Sequence, residues 1–264
     1  MNETNPIRLV ALDLDGTLLN EKFELTEEVR ASVQRAQDAG LLVVIATGRD
    51  RRSAEPFLQE LEASRFVITS GGALVWIDGQ IIAQNSFTSK QITNILNLGR
   101  KYQTGIFVDQ PEQSWRFGNQ VYTGMYSHLS NSTPNYRVES LVDPSPIKVS
   151  LVQERRILIK LREQLAFQNP ELNMVFPFEH ILDINPSGTN KGSALTHLAQ
   201  VLDIHTHEIA TVGDSENDIS MFMISGLSFA MRNAPEHVQQ FANYIAPRND
   251  QNGVVNAIDS ILDH

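Results

Sequence analysis

Two carboxylates stand two residues apart where an apolar segment meets a turn. Asp13 and Asp15 lie at the end of residues 9–14, which predict a buried strand, and Gly16 and Thr17 follow as a turn. Open α/β sheets keep their chemistry at the carboxyl ends of their strands. Two negative charges beside a segment that favours burial make sense if a cation or a phosphoryl group binds there. The pattern therefore points to phosphoryl transfer.

Three further segments carry polar side chains at comparable positions. Thr47-Gly48-Arg49 follows the apolar segment 41–46 and offers a hydroxyl and backbone N–H groups to a phosphate. Asn190-Lys191-Gly192 places an ammonium at the start of a helix predicted over 191–202. Gly213-Asp214-Ser215-Glu216-Asn217-Asp218 follows a strand predicted over 209–212. Together with the acid turn, these segments supply acids, an amide, a hydroxyl and a cation to one candidate site.

Uniformly apolar strands alternate with amphipathic helices at both ends of the chain. In the first part, Thr26 caps a predicted helix that ends at Gly40, a third strand is predicted over 66–70, and Asp78-Gly79 forms the turn of a hairpin. Such alternation predicts an α/β fold with a Rossmann-like, doubly wound parallel sheet. Near the C-terminal end, Asn233 and Glu236 resemble a capping box that opens another helix.

The middle of the chain has a different texture, with more Ser, Asn, Gln and aromatic residues. We predict irregular strands near 105–108 and 147–152 and an amphipathic helix near 155–167. Residues 85–186 are therefore predicted to form an inserted α+β cap domain, and residues 1–84 and 187–264 to form the core together. Four cap residues are candidates either for a pocket wall or for packing: Trp115, Arg116, Tyr126 and His128.

Composition limits the classes of partner. The 264 residues carry a formal net charge of −10, so we expect no sequence-independent binding to nucleic acid. Zero cysteines exclude a disulfide framework, and the N-terminus lacks the pattern of a signal peptide. The apolar runs are too short to span a bilayer. We therefore expect a cytoplasmic protein that acts on small molecules without a membrane, and the sequence leaves its oligomeric state open.

The four segments, in this order, resemble the signature of the haloacid dehalogenase-like phosphohydrolases. That signature is Asp-x-Asp-Gly-Thr, then Thr or Ser after the second strand, then Lys, then Gly-Asp-x-x-x-Asp. Further motifs are similar to those of the Cof-type branch, which has a type IIB cap: Ala46-Thr47-Gly48-Arg49, Asn185-Pro186, Met231-Arg232-Asn233-Ala234 and Asn249-Asp250-Gln251-Asn252-Gly253. The chain departs from that branch at Gly71, where Asn is usual, and at Arg232, where Gly is usual. Both departures bear on how a substrate or the cap is held.

The resemblance implies a phosphatase that hydrolyses small phosphomonoesters, either sugar phosphates or phosphorylated cofactors. Asp13 would be the nucleophile that forms an aspartyl-phosphate, and Asp15 the general acid and base. Mg²⁺ would be the cofactor, held by the Asp13 carboxylate, the Asp15 backbone carbonyl and Asp214.

The resemblance also implies the residues that bind the phosphate. The N–H groups of Leu14 and Gly48, the Thr47 hydroxyl and the Lys191 ammonium would contact its oxygens. Asn217 would contact the phosphate or a metal-bound water, and Asp218 would orient Lys191 or that water shell. Arg49 either faces the substrate or pairs with an acid.

Two other functions remain open from the residues. In a phosphotransferase or phosphomutase, the phosphoryl group would pass to a second hydroxyl in place of water. Mutases of this superfamily usually carry a small helical cap directly after the first motif, and here only residues 20–25 precede a predicted helix. A non-catalytic phosphoacceptor of the response-regulator kind would have an adjacent acid pair, which the Asp13–Asp15 spacing does not match.

Overall fold

The structure, a computed structural model, describes residues 7–126, 132–134 and 145–264. Its strands, in chain order, are β1 (Leu9–Leu12), β2 (Leu42–Ala46), β3 (Phe66–Thr69), β4 (Leu74–Ile77), β5 (Gln80–Gln84), β6 (Gly105–Gln110), β7 (Gln113–Gly118), β8 (Thr133–Pro134), β9 (Lys148–Val152), β10 (Asn173–Phe178), β11 (Ile181–Asn185), β12 (Ile209–Gly213), β13 (Leu227–Met231) and β14 (Tyr244–Ala246). Its α-helices are α1 (Glu27–Asp38), α2 (Arg51–Glu60), α3 (Ser89–Lys101), α4 (Gln120–Met125), α5 (Arg155–Gln168), α6 (Lys191–Val201), α7 (Ile219–Phe222), α8 (Glu236–Gln239) and α9 (Gly253–Leu262).

The first sheet has the strand order β14-β13-β12-β1-β2-β3-β4-β5. Strands β14 to β3 of that order run parallel, and the hairpin β4–β5 adds an antiparallel edge. Alternate residues of β1 face opposite layers: Val10 and Leu12 join the cluster that contains α1 and α9, whereas Leu9 and Ala11 join the cluster that contains α6. The α/β fold with a doubly wound parallel sheet is therefore confirmed.

Local sequence explains the first elements. Thr26 caps α1 by accepting a hydrogen bond from the Val29 N–H group. Asp78 and Gly79 both have positive φ, at 50° and 77°, as a two-residue hairpin turn requires. The predicted strand over 9–14 ends at Leu12, so that Asp13 begins the turn at the carboxyl edge of the sheet.

The second sheet belongs to the inserted cap and has the order β10-β11-β9-β6-β7-β8. One face of β6, β9 and β11 packs its apolar side chains against α3 and α5. The residues between them, among them Asp109, Lys148, Ser150 and Asp183, point to the opposite face by the strand alternation. Asp109 is the cross-strand neighbour of Lys148, and Asp183 that of Ser150. This second face is thus polar in its centre.

The insertion lies between β5, which ends at Gln84, and α6, which begins at Lys191. The bounds that the sequence gives, 85–186 for the cap and 1–84 with 187–264 for the core, remain a prediction. Within the described residues, none of the helices combines the length and the apolar composition that crossing a bilayer would require.

We predict that Gly192→Ala destabilises the protein by about 2 kcal/mol, because a Cβ at residue 192 would lie 2.1 Å from the Ser220 carbonyl oxygen. The matched control is Gly124→Ala in α4, where a Cβ would have nothing within 4 Å. That change is expected to leave stability the same or to raise it by up to about 1 kcal/mol. Urea unfolding measures both, and equal effects of the two substitutions would contradict the close approach at Gly192.

Candidate active site

The acid turn after β1 is shaped to lie against the loop after β12. Gly16 has φ +80°, and a Cβ there would lie 2.2 Å from Asp214 Oδ2, so a side chain would displace that carboxylate. The Thr17 hydroxyl donates to Asp214 Oδ1 at 3.3 Å. Asp13, which is 4% exposed, donates its N–H to the Val212 carbonyl at 3.1 Å. The turn therefore brings Asp13 and Asp214 side by side.

The loop after β12 folds back on its own acid. Asp218 Oδ2 accepts hydrogen bonds from the N–H groups of Asp214 and Ser215, at 3.0 and 2.9 Å. Gly213 has no side chain to obstruct this, whereas a Cβ there would lie 2.5 Å from Asp218 Cγ. The second oxygen, Asp218 Oδ1, remains directed at Lys191.

Lys191 joins the two acid segments. Asn190 caps α6 by accepting from the Ser193 N–H, which fixes Lys191 as the first residue of the helix. Its side chain is fully buried, and Nζ donates to Asp13 Oδ1 at 2.5 Å and to Asp218 Oδ1 at 2.7 Å. Burial disfavours the ammonium, but the carboxylates of Asp13 and Asp218 outweigh it and hold the pKa of Lys191 above its ordinary value.

The carboxylates of Asp13, Asp214 and Asp218 lie within 4.8 Å of one another. Burial raises the pKa of Asp13 to about 7; Lys191 acts against this rise, and Asp218 and Asp15 add to it. Burial also raises the pKa of Asp214 well above its ordinary value, with further repulsion from Asp13 and Asp218. Clustered carboxylate oxygens at this spacing fit a hard divalent cation, whose bonds to oxygen are about 2.1 Å long for Mg²⁺.

Asp15 and Arg49 form a second, separate pair. Arg49 Nε donates to Asp15 Oδ2 at 2.8 Å and Nη2 to Oδ1 at 2.5 Å, and both side chains are largely buried. The guanidinium also lies over the rings of Phe57 and Phe23, at 4.9 and 5.9 Å from their centroids. The sequence leaves two roles open for Arg49, contact with the substrate or pairing with an acid. In the structure, Arg49 pairs with an acid, Asp15. The Asp15 side chain therefore faces Arg49, and the third carboxylate of the cluster is that of Asp218.

The remaining predicted phosphate-binding residues surround the same edge of the sheet. Thr47 is fully buried, and its hydroxyl oxygen accepts from the Arg49 N–H at 3.1 Å. Asn217 accepts from the Ser215 hydroxyl at 2.9 Å and lines the cleft with Gly48. The Leu14 side chain packs into the core, which leaves its backbone between the two acids of the turn.

A cleft lies between the sheet edge and the cap. Asp13, Asp15, Gly48, Arg49 and Asn217 line its core side. Its cap side includes the polar residues Asp109, Lys148, Ser150 and Asp183 and the apolar residues Phe107, Tyr126, Val152, Pro177, Phe178 and Ile181.

Of the four cap candidates from the sequence, Tyr126 lines this cleft. Trp115 instead donates to Gln110 Oε1, and Arg116 to the Ser132 carbonyl. His128 lies outside the described residues.

The capping box predicted for Asn233 and Glu236 is wrong. Helix α8 begins after Pro235 and has no side-chain cap. Asn233 Nδ2 instead donates to the Gly16 carbonyl at 2.8 Å and to Asp214 Oδ2 at 3.3 Å, and its Oδ1 accepts from the Asn249 N–H at 3.1 Å. Asn233 therefore holds the two acid segments together. The motif Met-Arg-Asn-Ala is the sequence signal for a role of Asn233 at the site. The motif does not reveal the partners of Asn233, of which Gly16 lies 217 residues away in the chain.

Glu216 is a second residue whose role the sequence did not reveal. Its side chain leaves the acid loop and accepts from the Phe176 N–H of cap strand β10 at 3.1 Å. The other oxygen contacts His237 at 3.3 Å and Arg155 at 4.0 Å. Arg155 in turn lies 3.5 Å from the centroid of the Phe176 ring. Glu216 thus connects the loop that carries Asp214 and Asp218 to the cap.

Comparisons with known proteins agree with one another. A family model described as haloacid dehalogenase-like hydrolase matches residues 10–258. The chain is 29% identical to the 5-amino-6-(5-phospho-D-ribitylamino)uracil phosphatase YcsE of Bacillus subtilis, over 96% of this chain and 94% of that protein. It is 31% identical to a putative phosphatase of Streptococcus pyogenes, over 96% of this chain and 97% of that protein.

Solved structures give the same picture. A haloacid dehalogenase-like hydrolase from Bacteroides thetaiotaomicron superposes with a TM-score of 0.84 at 25% identity, over 96% of this chain and 99% of that one. A subclass IIB sugar phosphatase superposes with a TM-score of 0.86 over 96% of this chain and 98% of that one, and at 20% identity this likeness concerns the fold alone.

We predict that the metal-free protein loses stability as pH rises from about 4 to about 7. An acid whose pKa is raised on folding, from 3.8 to about 7 for Asp13, binds its proton more tightly in the folded state. Its favourable contribution is complete below the unfolded pKa and is lost as pH rises towards the folded pKa; Asp214 acts in the same direction. Thermal unfolding in EDTA at several pH values measures the effect.

A millimolar divalent cation is expected to raise the Tm more at about pH 8 than at about pH 5, because it competes with protons for the same oxygens. Asp214→Asn should remove most of this gain, and Asp78→Asn in the exposed hairpin turn should preserve it. A Tm that the cation leaves unchanged at both pH values would contradict a metal site at this cluster.

We predict that Glu216→Ala accelerates hydrogen exchange of the Phe176 amide by about tenfold, because that N–H loses its acceptor while the rest of the cap stays folded. Glu163→Ala on the exposed face of α5 is the matched control. Exchange at Phe176 that is equally slow in both variants would show that Glu216 does not tie the cap to the core.

Proposed function

Because this chain belongs to the haloacid dehalogenase-like hydrolase family and is a phosphoric monoester hydrolase, we propose that it hydrolyses small phosphomonoesters through an aspartyl-phosphate at Asp13 with Mg²⁺ bound. The observation that carries the proposal is the clustering of Asp13, Asp214 and Asp218 at the carboxyl edge of the sheet, where Asp13 and Asp218 bind Lys191.

Asp13 is placed to act as the nucleophile. One of its oxygens, Oδ1, is held by Lys191 at 2.5 Å, and the carboxylate lines the cleft. Attack on phosphorus would form a new bond from a carboxylate oxygen of Asp13 and break the bond to the leaving alkoxide. Lys191 would offset the negative charge of the transferred group, which a buried ammonium does more effectively than one in water.

The metal is proposed to bind the carboxylates of Asp13 and Asp214 and the backbone carbonyl of Asp15. When bound, Mg²⁺ supplies positive charge that lets a carboxylate nucleophile and a phosphate dianion approach each other. Asp214 is oriented for this role by Thr17 and Asn233, which each donate to one of its oxygens. Asp218, bonded to Lys191 and to two backbone N–H groups, supports the ammonium.

Asp15 is proposed to protonate the leaving alkoxide and then to accept a proton from the attacking water. The two hydrogen bonds from Arg49 occupy both of its carboxylate oxygens. Each oxygen keeps a second acceptor site, so Asp15 can exchange a proton while Arg49 stays bound to it. Thr47, the N–H groups of Leu14 and Gly48, and Asn217 would complete the phosphate site.

The substrate is proposed to be a sugar phosphate or a phosphorylated cofactor. Relatives in Bacillus subtilis with 29% and 28% identity are named 5-amino-6-(5-phospho-D-ribitylamino)uracil phosphatases, which makes that polyol phosphate a first candidate to test.

We predict that the protein releases phosphate from p-nitrophenyl phosphate with Mg²⁺ present and that EDTA abolishes the release. Asp13→Asn should lower kcat by at least about 10³-fold, because the nucleophile is lost while the fold is kept. Asp78→Asn, the same chemical change on an exposed turn, should leave kcat unchanged. Phosphate on the protein that resists hydroxylamine, or full activity of Asp13→Asn, would count against an aspartyl-phosphate at Asp13.

A further inference from the structure

The cap side of the cleft has a chemistry of its own. Asp109, Lys148, Ser150 and Asp183 form its polar centre, and they come from three neighbouring strands, β6, β9 and β11. Beside them lie Phe107, Val152 and Ile181, which pack together as a small apolar cluster. Since the phosphoryl group binds at the core side, the leaving group of a substrate must lie against these cap residues.

The carboxylates of this polar centre have acceptor capacity left. Asp109 Oδ1 accepts from the Ser114 hydroxyl at 2.8 Å, and Oδ2 accepts from the Ser70 hydroxyl at 3.1 Å. Asp183 Oδ1 accepts from the Ser150 hydroxyl at 2.6 Å, and Oδ2 pairs with Lys148 at 2.8 Å. Each of the four oxygens therefore has one polar partner among the described residues, and a carboxylate oxygen accepts about two hydrogen bonds. What these oxygens can still bind is a donor.

The cations of the cleft are already in use. Lys148 Nζ donates to the Gly48 carbonyl at 2.6 Å and pairs with Asp183, and Arg49 is bound to Asp15. Burial disfavours the charged form of Lys148, yet Asp183 and Asp109 hold its pKa above the ordinary value, so it stays an ammonium. Among the described residues on the cap side, Lys148 is the cation and Asp109 and Asp183 are the anions. A second negative charge on a substrate would meet an excess of carboxylate here.

We propose, on the basis of the phosphatase function set out above, that the cap side of the cleft selects phosphomonoesters with an uncharged, hydroxyl-rich leaving group and rejects those that carry a second anionic group. Asp109 and Asp183 are the specificity-determining residues: they accept hydrogen bonds from the substrate hydroxyls and repel a carboxylate or a second phosphate. Phe107, Val152 and Ile181 contact the carbon skeleton. Like charges brought together in a desolvated site cost several kcal/mol, which is enough for strong discrimination.

A matched pair of substrates tests this proposal on the unmodified protein. D-Glucitol 6-phosphate and 6-phospho-D-gluconate have the same chain length and differ at the terminal carbon, which is a CH₂OH group in one and a carboxylate in the other. We expect kcat/KM to favour the glucitol ester by about 10-fold or more, which corresponds to about 1.4 kcal/mol. Equal kcat/KM values for the two esters, or a preference for the gluconate ester, would overturn the proposal.

The variant Asp109→Asn tests whether Asp109 is responsible for the discrimination between the two esters. The amide keeps the shape of the side chain and one acceptor oxygen but removes the charge, so the ratio of the two kcat/KM values should shrink by at least about threefold, chiefly because the gluconate ester is used better. Asp78→Asn, on the exposed hairpin turn, should leave the ratio unchanged. A ratio that Asp109→Asn leaves unchanged would remove Asp109 from the selection.

The same measurements distinguish a failure of the proposed phosphatase function from a failure of the proposed selection by the cap. If the unmodified protein releases phosphate from neither ester nor from p-nitrophenyl phosphate, the proposed function is wrong. If it hydrolyses p-nitrophenyl phosphate and does not discriminate between the esters, the function stands and the selection by the cap is wrong. Should Asp109→Asn not fold, as its Tm would reveal, the ratio measured on the unmodified protein still decides.

Discussion

The structure depends on holding three carboxylates against one buried ammonium. Asp13, Asp214 and Asp218 repel one another, and Lys191, fully buried, binds two of them directly. Taking such groups out of water is costly unless each has partners, because desolvation opposes the attraction between the opposite charges. The chain meets this demand with backbone N–H groups for Asp218, with Thr17 and Asn233 for Asp214, and with glycines where the two loops approach most closely.

The order of the sheet explains why these groups can meet although they lie about two hundred residues apart. Strand β1 lies between β12 and β2, and the three strands are parallel. The loops that follow them therefore lie next to one another at the same edge of the sheet. The cap covers that edge and contacts it through a few polar groups. Lys148 binds the Gly48 carbonyl, Asp109 accepts from Ser70, and Glu216 accepts from the Phe176 N–H. The contacts of Lys148 and Glu216 join the cap to the two loops that carry the candidate site residues Gly48 and Asp214.

The sequence was sufficient for the core of the site and insufficient for what surrounds it. The convergence of Asp13 and Asp214 could be predicted, because apolar strands end just before them and parallel strands share one carboxyl edge. Lys191 could be predicted as the first residue of a helix. Asn233 was misread as a helix cap, since a local motif offered a local explanation and its true partners, Gly16 and Asp214, are distant in the chain.

Asp109, Lys148 and Asp183 were missed for a related reason. Each alternates with buried apolar residues in its strand, and the pairing of β6, β9 and β11 that brings them together is a tertiary event.

The charged residues that line the cleft give its core side and its cap side different net charges. With every group ionised, the acid cluster and Lys191 carry a formal charge of −2, which a divalent cation neutralises, and Asp15 and Arg49 cancel. On the cap side, two carboxylates and Lys148 leave −1, and Asp50, which lines the cleft near Asp109 and Lys148, adds a further formal −1 that a cation at the acid cluster does not neutralise directly. The core half can therefore accept a phosphate dianion once the cation is present, whereas the cap half stays negative and favours neutral donors.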